Sequence, residues 1–159
     1  MTMPEKLLPL PLAGVTVLDL SRVLAGPYCG LMLADMGADV IKIENTDGGD
    51  DTRNFTEPSY NGVSTYFLTM NRNKRSVALD LKAPAAKAAF LRLVAKSDVV
   101  VENFRTGVME RLGLGWDTLK AERPSLVDCA ISGYGRSGPH VGVPGFEPIA
   151  QAVSGGRSQ

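Results

Sequence analysis

The chain has 159 residues, enough for one domain with a real core, because a domain of about 150 residues buries roughly 70% of its unfolded surface. Seventeen basic and 17 acidic residues cancel, so no net field draws the molecule to nucleic acid or an anionic membrane, and any anion binding has to be local. Two cysteines, Cys29 and Cys129, and one histidine are too few for a disulfide scaffold or a metal site, and suit a reducing cytosol.

The opening stretch MTMPEKLLPLPLAG carries three prolines and no long apolar run, so residues 1–13 read as a loose arm rather than a signal peptide or membrane span. Residues 14–159 then form one domain. VTVLDL (Val15 to Leu20) reads as a buried strand between Gly14 and Ser21. A helix follows in LAGPYCGLMLADMG, with Pro27 in its first turn and Gly37 at its C-cap. ADVIKIE, ending at Glu44, is a second strand, which completes a unit of βαβ length. From Asn45 to about Ser64 the chain is polar and longer than an ordinary loop, hence mobile or functional. After YFLTM and the basic turn NRNKR, SVALDL is the third strand. Pro84 opens a helix with Ala86, Phe90, Leu93 and Val94 on one face, and DVVVENF is the fourth strand. Short helices around Val108 to Leu112 and Trp116 to Arg123 lead to a fifth strand in LVDCAISGYG.

Continuous apolar strands alternating with amphipathic helices predict an α/β fold, a Rossmann-like parallel sheet with helices on both faces. Ligands of such sheets bind outside the carboxyl ends of the strands. Those ends read SRVLAGP, IENTDGGDDTR, DLK, ENFRTG and GYGRSGPH. A dinucleotide site is disfavoured, since LAGPYCG lacks the GxGxxG spacing and Pro27 removes an amide where a pyrophosphate would need one. Arg72, Lys74, Arg75, Lys82, Arg105 and Arg111 gather near the third and fourth strands, as a phosphate cradle or as ordinary solvated charges.

Four ordered blocks carry a resemblance: VTVLDLSRVLAGPYCGLMLADMGADVIKIE, NRNKRSVALDLK, VVVENFRTGVMERLGLGWDTL, and ISGYGRSGP followed by GFEPIAQAVSGG. Together they resemble the amino-terminal part of the family III CoA-transferases, from about Leu12 to Gln159. The resemblance implies a site for coenzyme A or acyl-CoA as substrate, with no permanently bound cofactor and no metal. The matching positions are Val23, Leu24 and Ala25, Leu79 and Lys82, Asn103, Phe104 and Arg105, and Arg111. Lys82 and Arg111 suit phosphate charge, whereas Leu79 and Phe104 offer apolar surface or simply pack in the core. Formyl-CoA transferase has a polar amide at the position of Leu24 and an arginine at that of Asn45, so a small carboxylate such as formate or oxalate is disfavoured.

Glu147 matches the family's supporting glutamate rather than its nucleophile. The implied reaction moves CoA from an acyl thioester to a free carboxylic acid through an enzyme-carboxylate anhydride and thioester, on an aspartate downstream of the GFE block. The chain is accordingly expected to be the front portion of a longer, cytoplasmic, homodimeric enzyme, truncated relative to the family fold and inactive alone. Two alternatives stay open. A related acyl-CoA racemase works by α-proton transfer and carries a histidine where Phe146 stands, His140 being off-register. A non-catalytic CoA-binding fragment is the other.

Overall fold

The computed structural model describes residues 9–145 and 147–155, with the backbone alone at Glu147, Pro148 and Ala150. In chain order it runs β1 (Thr16–Asp19), α1 (Ala25–Asp35), β2 (Asp39–Glu44), a 3-10 turn (Asp51–Asn54), β3 (Ser59–Tyr60), β4 (Val63–Ser64) and α2 (Thr65–Asn71). The second half comprises β5 (Lys74–Ala78), α3 (Pro84–Val94), β6 (Val99–Glu102), α4 (Val108–Arg111), α5 (Trp116–Glu122), β7 (Val127–Ala130) and α6 (Glu147–Val153).

Five strands make one parallel sheet in the order β5-β2-β1-β6-β7, and β3 pairs with β4 as a small hairpin. Side chains alternate across it. Leu18, Leu20, Ile43 and Val100 point to one face, where Phe90 and Val94 of α3, Met109 of α4 and Leu119 of α5 cover them. Val17, Val40 and Val101 point to the other, under Ala34 of α1 and Ala38 just beyond it. Helices therefore cover both faces, as expected. The chain winds outward from β1 through β2 to β5, then returns along α3 to place β6 on the other side of β1. The winding reverses between β1 and β6, where the loops after the two strands diverge and leave a crevice.

On the α1 face the composition changes along the strands. A row containing Val17 and Val40 is followed, one pleat nearer the carboxyl edge, by Asp19, Lys42 and Ser76 in register. This charged row can be covered only because α1 comes very close. A Cβ on Gly26 would lie 2.1 Å from Ser21 Cβ, and one on Gly30 would lie 2.7 Å from Asp19 Oδ2.

Several sequence expectations shift. β5 begins at Lys74 rather than Ser76, because Lys74 turns into the protein to meet Asp19 and its segment pairs with β2 from Val40 onward. The polar connection after Asn45 contains the 3-10 turn and the β3–β4 hairpin instead of irregular loop alone. Residues 1–8 of the arm lie outside the described residues, and within 9–13 the Leu12 amide donates to Met36 O at 2.9 Å and the Leu12 side chain packs under the α1 face. Gly37 follows α1 at φ 99°, and Pro84 opens α3, both as read from the sequence.

The contact between α1 and the end of β1 gives a direct test. Gly26→Ala is expected to lower stability by about 1–3 kcal/mol, since the rigid Ser21 Cβ cannot step aside. Gly142→Ala, whose new methyl meets nothing within 4 Å, should leave the urea midpoint in place.

Candidate functional site

The loop from Ser21 to Leu24, between β1 and α1, is held at every residue, Leu24 through its carbonyl, which accepts from the Tyr28 amide at 2.8 Å. Ser21 gives its amide, at 3.0 Å, and its hydroxyl to Asp19 Oδ1. Its carbonyl accepts from Lys42 Nζ at 2.9 Å. The Arg22 amide donates to Asn103 Oδ1 and the Arg22 carbonyl accepts from Asn103 Nδ2, both at 2.8 Å, so one amide side chain bridges the two loops at the winding reversal. The Val23 amide donates to Asp50 Oδ1 at 3.3 Å. Val23 sits at φ 68°, a left-handed conformation that a β-branched residue adopts only when its surroundings hold it there.

Beneath the loop lies a set of buried charges. Lys42 Nζ faces Asp50 Oδ2 at 2.8 Å, although no donor is aligned on that oxygen, and both side chains are sealed from water. Burial pushes the Asp50 carboxyl up, but the Lys42 ammonium and the Thr52 amide and hydroxyl outweigh it and hold the group below its ordinary value. Lys74 Nζ meets Asp19 Oδ2 at 2.8 Å, Pro27 O at 2.7 Å and Asn71 Oδ1 at 3.1 Å. Burial dominates there and lowers the ammonium's affinity for its proton, with Asp19 opposing. Glu44 ends β2 in a fork from Arg53, 2.7 Å from Nε and 2.6 Å from Nη2, and also accepts from the Ser76 hydroxyl and the Asp50 amide. Burial raises this carboxyl, yet these donors bring it down to about 2. Arg53 in turn lies 3.8 Å over the Phe67 ring, which ties the 3-10 turn to α2.

A second fork joins β6 and β7. Arg136 donates to Glu102 Oε1 and to Asp128 Oδ2, both at 2.7 Å, and the other Glu102 oxygen accepts from the Phe104 amide at 2.7 Å. The glycine-rich segment carrying Arg136 is closed at its base. Gly133 and Gly145 cross so tightly that a Cβ on Gly145 would lie 2.1 Å from Gly133 Cα. Thr106 also donates to Val141 O at 3.1 Å.

Above these supports a cleft of about 1450 Å³ runs along the carboxyl ends of the strands. All nine residues expected to bind CoA line it: Val23, Leu24, Ala25, Leu79, Lys82, Asn103, Phe104, Arg105 and Arg111. Leu79 and Phe104 also pack against the core on the α3 side, so packing and lining are both true of them. The backbone of Glu147 opens α6, but its side chain lies outside the described residues, as does Phe146.

The six basic residues singled out in the sequence divide in two. Arg72 pairs with Asp35, Lys74 with Asp19 and Arg75 with Asp39, so that half is a set of internal and surface ion pairs. Lys82, Arg105 and Arg111 make no ion pair among the described residues and all line the cleft. Sequence reading missed Asp19, Lys42, Asp50, Glu102 and Arg136, which support the cleft without having been named as site residues. A signal existed in Lys42, a charge inside the apolar run ADVIKIE, since a charge in a buried strand requires a partner.

A family model described as CoA-transferase family III matches residues 12–159. The chain belongs to that family. It is 47% identical over 146 residues to the β subunit of succinyl-CoA–L-malate CoA-transferase of Chloroflexus aurantiacus, covering 92% of this chain and 36% of that protein. Against succinate–glutarate CoA-transferase of Agrobacterium fabrum the identity is 46% over 151 residues, covering 91% and 38%. Among solved structures, a CAIB/BAIF family protein from Brucella suis superposes with a TM-score of 0.88 at 41% identity, over 93% of this chain and 40% of that one. A hypothetical protein of Mycobacterium tuberculosis gives 0.85 at 44% identity, over 94% and 41%. The chain thus spans between 36 and 41% of the length of these relatives.

Two outcomes are expected from the charges beneath this family III cleft. Asp50→Ala leaves Lys42 buried without its counter-ion and should destabilise the fold by about 3–5 kcal/mol in urea unfolding. Glu44, held at about 2 against an ordinary 4.5, binds its proton more weakly folded than unfolded. Its contribution to stability is therefore complete above about 4.5 and lost as pH falls toward about 2. Urea midpoints measured across that window should fall more steeply for the native protein than for Glu44→Gln.

Proposed function

We propose that these residues form the CoA-holding part of an enzyme that moves CoA between an acyl thioester and a free carboxylic acid. One observation carries the reading. Lys82, Arg105 and Arg111 line a single cleft and make no ion pair among the described residues, while the two lysines set into the sheet face under α1, Lys42 and Lys74, are neutralised. CoA presents phosphate anions at its nucleotide end and an apolar pantetheine arm. Three free cations beside Leu79, Phe104, Val23 and Leu24 suit that combination.

In this reading the phosphates meet Lys82, Arg105 and Arg111, and the adenine or pantetheine lies on Leu79 and Phe104. The arm ends at the strained Val23–Leu24–Ala25 turn. A carboxylate of the enzyme attacks the thioester carbonyl and expels the CoA thiolate, leaving a mixed anhydride. The thiolate then attacks the enzyme's own carbonyl in that anhydride, which releases the donor acid and leaves an enzyme thioester. The acceptor carboxylate attacks that thioester and expels the CoA thiolate, giving a second anhydride, and the thiolate then attacks the acceptor's carbonyl, forming the new acyl-CoA and freeing the enzyme carboxylate. Glu147 is assigned a supporting role, and the nucleophilic aspartate is sought outside these 159 residues. The relatives named for succinyl-CoA as donor support a dicarboxylic acyl group for this enzyme as well. A second copy of the chain as partner and a cytoplasmic location complete the reading. Among the described residues no helix is long and apolar enough to cross a membrane.

α-Proton transfer would need two acid/base groups flanking one carbon. Among the described residues the cleft lining contains no histidine, and His140 is exposed beside Tyr134. Transfer of CoA is the better-supported reaction.

Calorimetric titration with CoA tests the cleft. Binding is expected, and Lys82→Gln and Arg111→Gln should each weaken it about tenfold, as loss of one charge-assisted contact implies. Affinity should also fall as salt rises. Unchanged affinity in both variants would sink the assignment. Thioester exchange between an acyl-CoA and a free acid tests the chemistry. No sustained turnover is expected from these residues alone, and turnover would show that a nucleophile lies within them.

A further inference from the structure

Among the described residues five cations line the cleft: Arg22, Lys42, Lys82, Arg105 and Arg111. Lys42 is buried and satisfied by Asp50 and by Ser21 O. The proposed function uses Lys82, Arg105 and Arg111 for the phosphates of CoA. Arg22 is left without a use. Its ion-pair partner is Asp51, at 3.5 Å, with 50% and 60% of the two side chains exposed. A pair of that kind contributes little and exchanges readily with a ligand anion.

Its backbone tells a different story. The amide and carbonyl of Arg22 are both tied to Asn103, and the next residue is forced into a left-handed conformation. The start of this side chain is therefore fixed far more firmly than an ordinary surface arginine needs. The guanidinium then lies 5.8 Å from the centroid of the Phe104 ring, at the cleft wall. Next along the chain, Leu24 is 43% exposed and offers methyl groups, with nothing polar, to whatever follows the thioester carbonyl. A planar fork on a fixed base, beside an apolar step, suits a carboxylate separated from the reacting carbonyl by a short methylene chain.

We propose that Arg22 forms a subsite for the far carboxylate of a dicarboxylic acyl group, with Val23 and Leu24 under the intervening methylenes. The assignment rests on the CoA-transfer reading above and names the residue that would select diacids over monoacids. Asp51 is the anion the substrate carboxylate displaces or shares. Asp50 sits beneath the loop but is neutralised by Lys42, so it opposes an incoming anion little.

Calorimetry on the purified protein with CoA, succinyl-CoA and butyryl-CoA separates the two claims, because the acyl groups have equal chain length and differ in the far carboxylate. The readout is the ratio of succinyl-CoA to butyryl-CoA affinity. It is expected to be about tenfold in the native protein, to collapse to near one in Arg22→Gln, and to survive in part in Arg22→Lys. In Asp51→Asn, which removes the competing anion and keeps Arg22, the ratio should rise. A ratio near one in the native protein, or an unchanged ratio in Arg22→Gln, overturns the subsite while leaving the CoA cleft standing. Absence of binding by CoA itself overturns both.

Discussion

Lys42 and Asp50 face each other across 2.8 Å with at most 2% of either side chain in contact with water, and the geometry of the carboxyl edge depends on that pair. Two charges taken out of water cost more than their attraction returns unless their remaining hydrogen-bonding groups are also satisfied. Lys42 finds Ser21 O, and Asp50 finds Thr52 and the Val23 amide. Those extra partners belong to the two loops that border the cleft. The demand of buried charge for partners is thus what draws the β1–α1 loop and the 3-10 turn into one fixed arrangement. The pair of Asp19 and Lys74 repeats the device one strand away, under the close approach of α1.

This arrangement separates two uses of positive charge within one small domain. The two lysines on the sheet face under α1 are met by carboxylates, Lys42 by Asp50 at the cap of the 3-10 turn and Lys74 by Asp19 of β1, across β2. Lys82 after β5, Arg105 after β6 and Arg111 at the end of α4 make no ion pair among the described residues, and all three line the cleft. A chain with no net charge can in this way keep positive charge unpaired at one place on its surface. The strain at Val23 has the same origin: four side chains, Asp19, Lys42, Asn103 and Asp50, hold the loop from Ser21 to Val23, so the left-handed turn persists without a glycine.

Much of this was legible in the amino-acid order. Apolar runs such as VTVLDL and DVVVENF are strands because both faces of the sheet are covered, and Phe90 and Val94 bury one face of α3 because their spacing is helical. The cleft residues were legible because they fall at strand ends, where a parallel sheet exposes its loops, and because four ordered blocks carried the family pattern. The supports beneath were not. Lys74 looked like part of a basic turn because nothing local announces Asp19, 55 positions earlier, as its partner. Asn103 looked like a ligand contact, yet one oxygen and one nitrogen of its amide are already engaged with Arg22, a pairing 81 positions apart. Long-range ion pairs leave only a weak trace in a single sequence, which is the presence of a charge where the surroundings are apolar.

The crossing of Gly133 and Gly145 carries a consequence for how such a protein can diversify. Two backbones touch there with no space for a side chain on either, so the junction is fixed by steric exclusion and not by any sequence-specific contact. Everything from Tyr134 to Pro144 hangs from that knot as a closed loop. Apart from Arg136, which ties the loop to Glu102 and Asp128, and Val141, whose carbonyl meets Thr106, its side chains can be rewritten while the sheet below keeps its place, provided the two knot positions remain bare.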